Sequence, residues 1–217
     1  MDYAHSYLSS SSLQINCDLG EGIPWEKQLF PLIDVASLAC GGHFGTRASL
    51  DASLALATKY GKKVGAHPSY PDQENFGRVS LIIPIKTLIE AIGQQIERFK
   101  QRAQAHNLAM DHIKFHGALY NDAAKDSSLA DSLTDFLLEN YPQTPLLVPP
   151  HSELEKKAQE KGLTIRLEVF ADRSYTSDYL LSPRTLEGSL LQDITSVEPQ
   201  VKRLLFEGQL LSMEGVQ

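Results

Sequence analysis

Two apolar rhythms alternate along this chain. Short runs bounded by turn-forming residues predict strands at LQINCDL (13–19), DVASLAC (34–40), KKVGAHP (62–68), HIKFHG (112–117), PLLVPP (145–150) and TIRLEVF (164–170). Between them, apolar residues recur every three or four positions, as one buried face of a helix requires. Leu50, Leu54 and Ala57 form such a stripe, with Thr46 available as its N-cap. Ile85, Leu88, Ile89, Ile92, Ile96 and Phe99 form a longer one behind Pro84, a residue suited to a first helical turn. Leu129, Leu133, Phe136 and Leu137 mark a third. A charged helix is expected over 152–161, stopped by Gly162.

Strands alternating with helices predict a parallel sheet, because parallel neighbours need a crossover connection. Six strands suit either an open doubly wound sheet or a closed barrel. Neither G-x-G-x-x-G nor G-x-x-x-x-G-K-[ST] occurs, so no dinucleotide or phosphate loop is marked, which leans against a Rossmann arrangement. No repeat or long linker divides the chain. Residues 13–217 are expected to form one α/β domain, and the Ser-rich opening MDYAHSYLSSSS (1–12) a flexible tail.

Composition narrows the function classes. At 217 residues and 42% hydrophobic content the chain can bury a sizeable core. A net charge of −7 argues against a nucleic-acid surface. No run approaches the roughly 18 apolar residues of a membrane span. The opening lacks the basic start and apolar centre of a secretory signal. Cys17 and Cys40 lie in apolar segments, so no disulfide framework is expected and a reducing cytoplasm is the predicted compartment.

In parallel α/β folds the site is built at the carboxyl ends of the strands. Five of the predicted strands end on polar groups. The first ends in NCDLGEG, with Asn16, Asp18 and Glu21. The second ends in ACGGHFG, with Cys40 and His43, and the third gives His67, then Asp72 and Arg78. KFHGALYND supplies Lys114, His116, Tyr120 and Asn121; RLEVFADRSY supplies Glu168, Asp172, Arg173 and Tyr175. Taken singly, each has an ordinary role: a hydrogen-bonded histidine, a capping carboxylate, a surface ion pair, a small buried cysteine. Three histidines at three strand ends, each in polar company, point instead to a shared site.

INCDLGEG, ACGGHFG, GAHPSYPD followed by FGR, KFHGALYN and EVFADRSY occur in the order and spacing of the LamB/YcsF family, which the chain resembles from about Leu13 onward. That family comprises the A subunit of the bacterial ATP-hydrolysing 5-oxoprolinase. The resemblance implies a distorted (β/α)7 barrel similar to the glycoside hydrolase/deacetylase superfamily. It also implies opening of the lactam ring of 5-oxoproline to L-glutamate with B and C partner subunits, ATP being bound mainly by those partners. Departures are visible. VASLACGGHFGT stands where members usually read like SANIACGFHAGD: Ser37 replaces an asparagine, Gly42 an aromatic residue, Phe44 an alanine and Thr46 an aspartate. Ser69 replaces a glycine, Phe115 a proline and Val79 a second arginine. The sequence stops at SMEGVQ, before the family's last strand and its CVHGD-like motif, which leaves two alternatives: a barrel without its closing strand, whose exposed edges would favour association into a homo-oligomer, or a gap covered by another chain or terminus.

For ring opening, Asp18 is the expected base, with His67 or His116 as acid and Glu21 alongside them. Lys114, Arg78 and Arg173 are expected to hold carboxylate or phosphate oxygens, and Glu168 the ring N–H or a histidine. His43, Tyr120, Asn121 and Asp172 complete the expected substrate contacts. A second reading is a metal-dependent amidase or deacetylase, with Asp18, His43 and His67 as ligands of a divalent ion such as Zn²⁺. A third is a non-catalytic scaffold subunit, motivated by Thr46 and the absent last motif.

Overall fold

The structure is a computed structural model that describes residues 13–209, 211–212 and 215–216. The expected tail over 1–12 lies outside the described residues. Six strands form one parallel sheet: β1 (Asn16–Leu19), β2 (Val35–Ala39), β3 (Lys63–His67), β4 (Met110–Ile113), β5 (Leu146–Val148) and β6 (Ile165–Leu167). Their order in space is their order in the chain. A doubly wound sheet reverses direction at a switch point; this one never does, and it curls into a half-barrel. The barrel alternative is therefore the observed one. Among the described residues no seventh strand joins β6 to β1, and apolar side chains stand exposed beside both edges: Leu13 and Ile15 at one, Leu167 and Val169 at the other.

The helices are α1 (Glu26–Leu29), α2 (Arg47–Tyr60), α3 (Ile85–Ala105), α4 (Gly117–Lys125), α5 (Ser127–Asn140), α6 (Glu153–Glu160) and α7 (Ile194–Phe206). Thr46 caps α2 as expected, its hydroxyl accepting from the Ser49 N–H at 3.1 Å. Ser152 caps α6, and Gly162 takes a left-handed φ of 73° just past its end. Leu50, Leu54, Leu88, Ile92, Ile96 and Phe99 are buried against Ala36, Leu38, Val64 and Ala66 in one core. Each such large side chain contributes roughly 1.5–3 kcal/mol by leaving water. Among the described residues no helix is long and apolar enough to cross a membrane.

The fourth strand departs from expectation. Predicted over 112–117, it runs Met110–Ile113. Val64 pairs with Met110 but Ala66 pairs with Ile113, so β4 carries one extra residue there. Such a bulge re-aims side chains and ends regular pairing early. Lys114, Phe115 and His116 follow beyond the strand's end, with the Lys114 and His116 N–H groups still donating to the Ala66 and Pro68 carbonyls at 3.0 and 2.9 Å, and α4 begins at Gly117.

Candidate active site

In register across the sheet, Asp18 lies beside Ser37, Ser37 beside Gly65, and Ala39 beside His67. Residues so paired share a face, and this one is the interior of the curl. The strand ends and their loops bring the expected groups together there. Lys114 Nζ lies 2.8 Å from Asp18 Oδ1 and 3.2 Å from Glu168 Oε1, the second an ion-pair distance without hydrogen-bond alignment. His67 Nε2 lies 3.4 Å from Asp18 Oδ2 and 3.0 Å from His116 Nδ1. Glu21 Oε1 sits 3.0 Å from His43 Nε2 and 3.3 Å from His116 Nδ1. The His43 and His116 rings stack at 3.5 Å, with Phe76 edge-on to both.

Local sequence explains why the histidines fit. Gly77 has φ of 63°, and a Cβ there would stand 2.8 Å from the Cβ of His43 and 3.2 Å from the His116 ring. Any side chain at 77 would push the stack apart. Two departures from the family pattern are also explained together. The space above Gly42 is filled by Gln95 and Ser69, and the Gln95 amide pairs with the Ser69 backbone through two 2.9 Å bonds.

Hydrogen bonding fixes the tautomers. The Nδ1–H of His67 donates to the Lys114 carbonyl at 2.8 Å, and the Nε2–H of His116 to the Phe76 carbonyl at 3.1 Å. The remaining nitrogens then face each other at 3.0 Å with a lone pair each, beside the Glu21 carboxyl oxygen. Three acceptor atoms, the two imidazole nitrogens and the Glu21 oxygen, converge with no hydrogen between the facing imidazoles. The arrangement needs a positive charge, either a proton on one imidazole or a metal ion.

The electrostatics agree. Burial disfavours a charged His67, but Asp18 outweighs it and raises the pKa. His116 is lowered by burial, then by His67 and His43; His43 is lowered mainly by burial. Burial pushes the Asp18 carboxyl up, yet His67 and Lys114 together hold it well below its usual range. Glu168 is raised, burial exceeding the pull of Lys114. Burial pushes the Cys17 and Cys40 thiols up to about 12, so neither is a ready nucleophile.

Glu21, His43, His67 and His116 present ligand atoms that all lie within 4.8 Å of one another. Ligands about 2.1 Å from a tetrahedral zinc stand about 3.4 Å apart, so the set fits an ion with little movement. The carbonyl bonds from His67 and His116 are the outer support that ligating histidines need. His43 and His67 were expected as ligands; Glu21 and His116 join them. Asp18 touches His67 but is engaged by Lys114 and stands outside the set.

Beside this cluster opens a cleft of about 390 Å³, counting the solvent at its mouth. Asp18, His67, Lys114, His116, Tyr120, Asn121, Arg78 and Arg173 line it, all expected. The buried Tyr120 hydroxyl has no well-aligned hydrogen-bond partner among the described residues. Arg173 lines the wall with its guanidinium committed to the Ser182 and Ser189 carbonyls, a structural engagement. Gln200 of α7 holds the same segment by donating to the Phe170 and Arg173 carbonyls at 2.8 and 2.7 Å. Asp172 is exposed and does not line the cleft. Arg184 does line it and was not anticipated. It follows no strand, so the strand-end signal could not reveal it; a basic residue beside Pro183 was the only mark.

Comparisons with known proteins agree with this architecture. The model of the LamB/YcsF family matches residues 13–217. A crystal structure of a lactam utilization protein from Thermus thermophilus superposes with a TM-score of 0.87 at 31% identity, covering 94% of this chain and 85% of that one. A protein of Enterococcus faecalis named for cellobiose-phosphate cleavage matches 70% of this chain and 65% of its own at 14% identity, with a TM-score of 0.49, too distant to carry an argument. With its motifs gathered at one rim and the family model matched along the described fold, the chain belongs to the LamB/YcsF family.

Proposed function

We propose that this chain is the lactam-opening subunit of an ATP-dependent 5-oxoprolinase, converting 5-oxoproline to L-glutamate with B and C partner subunits. Family membership and the likeness to the Thermus lactam utilization protein support the substrate class. The observation that carries the mechanism is the Asp18–His67 contact beside Lys114 at the floor of the cleft. A lactam carbonyl is a poor electrophile. Phosphoryl transfer from ATP, bound mainly by the partners, makes its carbon attackable by water.

Asp18 orients that water and takes its proton, while His67 in its charged form protonates the departing ring nitrogen. Addition of the water to the carbon and cleavage of the C–N bond leave an acyl phosphate, a second water displaces phosphate from that carbonyl to give the new carboxylate, and the proton on Asp18 returns to His67 across their contact. Lys114 and Tyr120 donate toward the reacting oxygen, and Arg78 and Arg184 face the substrate carboxylate. A carboxylate with so low a proton affinity is a weak base. It cannot drive water onto an unactivated amide, which is the physical reason this reading requires ATP. The reaction belongs in the cytoplasm, where ATP is available.

The test is glutamate release by the enzyme reconstituted with its partners. Asp18→Asn, compared with wild type at a temperature where both are shown to be folded, should lose about 10²–10⁴-fold in turnover. Wild-type turnover in that variant would remove Asp18 from the chemistry. Partner binding without turnover by the native chain would instead establish a scaffold role.

The Glu21–His43–His67–His116 set favours one second reading, a metal-dependent amidase. When bound, the ion would supply an activated water at neutral pH without ATP. Metal analysis of untagged protein, with chelation and an ATP-free assay, separates the two.

A further inference from the structure

Beneath the histidines a second polar layer fills the half-barrel, and the proposed chemistry makes no use of it. The β4 bulge turns both Asp111 and His112 into the interior. Gly65 on β3 makes room: a Cβ there would stand 2.4 Å from the His112 ring. His112 is fully buried. Its Nδ1 lies 3.1 Å from Asp111 Oδ2 and its Nε2 2.9 Å from Ser37 Oγ. Ser37 Oγ lies 3.0 Å from the Asn16 amide, whose far end is 3.4 Å from Glu168 Oε2. The chain of contacts thus runs from the floor of the barrel to a carboxyl group beside the cleft.

Counting hydrogens constrains it. Asp111 accepts two bonds from Arg166 and faces Lys63 at 3.4 Å, so it is an acceptor, held well below its usual pKa by His112 and Arg166 against burial. His112 Nδ1 therefore carries a hydrogen. If His112 is neutral, its Nε2 takes the one Ser37 proton, Asn16 must turn its NH₂ to Ser37 and its oxygen to Glu168, and Glu168 must be protonated. If His112 is charged, Nε2–H donates to Ser37, Ser37 to the Asn16 oxygen, and the Asn16 NH₂ to an ionised Glu168. Amide orientation follows the network in both cases. With neither end protonated, two acceptors meet somewhere along the line.

We propose that His112, Ser37 and Asn16 are positioning residues that retain one proton in a chain ending at Glu168, so that the barrel floor sets whether Lys114, which lines the cleft, faces a carboxylic acid or a carboxylate. The groups facing each end favour the acid. Glu168 is raised by burial and by Asp18, against Lys114 and His67. His112 is lowered by burial, Arg166 and Lys114, against Asp111. Only the catalytic consequence rests on the proposed lactam reaction; the proton count stands without it.

The test reads protons and not turnover, so an inactive enzyme leaves it intact. In protein labelled with ¹³C at Glu carboxyls and ¹⁵N at His, with Glu168→Gln and His112→Phe assigning the signals, His112 at pH 7 should be neutral with the hydrogen on Nδ1. Glu168 should titrate above its usual 4.5. Ser37→Ala frees Asn16 to donate to the carboxylate, so the Glu168 midpoint should fall by about one pH unit, a change worth one hydrogen bond. Ser37→Thr, which keeps the hydroxyl, should restore it. A neutral His112 beside an ionised Glu168 at pH 7 in the wild type would overturn the proposal even if Ser37→Ala fails to fold, as would an unmoved midpoint in a folded Ser37→Ala.

Discussion

The two polar layers inside the half-barrel use the same residue types and do opposite things. In the upper layer, His67 and His116 each spend one nitrogen on a backbone carbonyl and turn the other toward a shared space with Glu21. Acceptors outnumber hydrogens, so the layer attracts a cation or keeps a mobile proton. In the lower layer, His112 is tied to Asp111 and followed by Ser37 and Asn16, groups that both give and accept. There one proton balances every contact. Residue type does not separate a reactive site from a supporting one; the surplus or balance of hydrogens does.

The largest expected effect tests how dry each layer is. Lys114 is buried between two carboxyl groups, whereas the Lys63 side chain is 58% exposed on Asp111. Lys114→Met leaves Asp18 without its cation and should cost about 3–5 kcal/mol in urea unfolding. Lys63→Met should cost less than about 1 kcal/mol. Equal losses would mean that water reaches the upper layer as freely as the lower, and the contrast would fail.

How far each layer was legible in the sequence follows from how it is built. Asp18 and His67 fall on the last positions of regular strands, where alternation and the parallel-sheet rule say what points inward. The lower layer depends on the β4 bulge. HIKFHG alternates as a strand would, so the run looked like one beginning at His112, and an extra residue in a ladder leaves no mark in composition or period. Nothing in the sequence pattern marks Asp111 and His112 as a pair inside the barrel. The cleft's far wall was only half visible. The motif marks Arg173 as an anion binder, but its guanidinium is bound to carbonyls of its own segment. Asp172, from the same motif, is exposed, and Arg184 comes from irregular chain where no periodicity operates.

Opposite pKa directions give the next comparison. His67 is raised on folding, so its contribution to stability is full below the unfolded value of about 6.5 and is lost as pH rises through the folded pKa. His112 is lowered, so its contribution is present above about 6.5 and lost as pH falls toward the folded pKa. Asp18, being lowered, contributes above about 3.8 and not in acid. In chelator-treated protein, wild type minus His67→Gln should therefore lose stability from pH 6 to 8, by about 1.4 kcal/mol for each pH unit that separates the folded from the unfolded pKa. Wild type minus His112→Gln should gain it over the same range. Thermal melts at the two pH values decide both, and slopes of one sign would mean the layers are electrostatically alike.

The smallest effect concerns Thr46, which stands where the motif that the chain resembles has an aspartate. If that position supplied a catalytic carboxylate, threonine would have disabled the site. The structure gives it a different task. Thr46 is exposed, does not line the cleft, and caps α2 through the Ser49 N–H. Aspartate caps a helix equally well and adds a negative charge where the α2 N-terminus is partly positive. Thr46→Asp should thus raise unfolding stability by about 0.3–1 kcal/mol at low ionic strength, less in salt. Glutamate release should stay within about twofold, since a change remote from the reacting atoms leaves transition-state contacts alone. A gain of tenfold or more would assign residue 46 to the chemistry and extend the upper layer along the β2 loop. A gain in stability alone would confine both layers to the strand ends, where the hydrogen count already separates them.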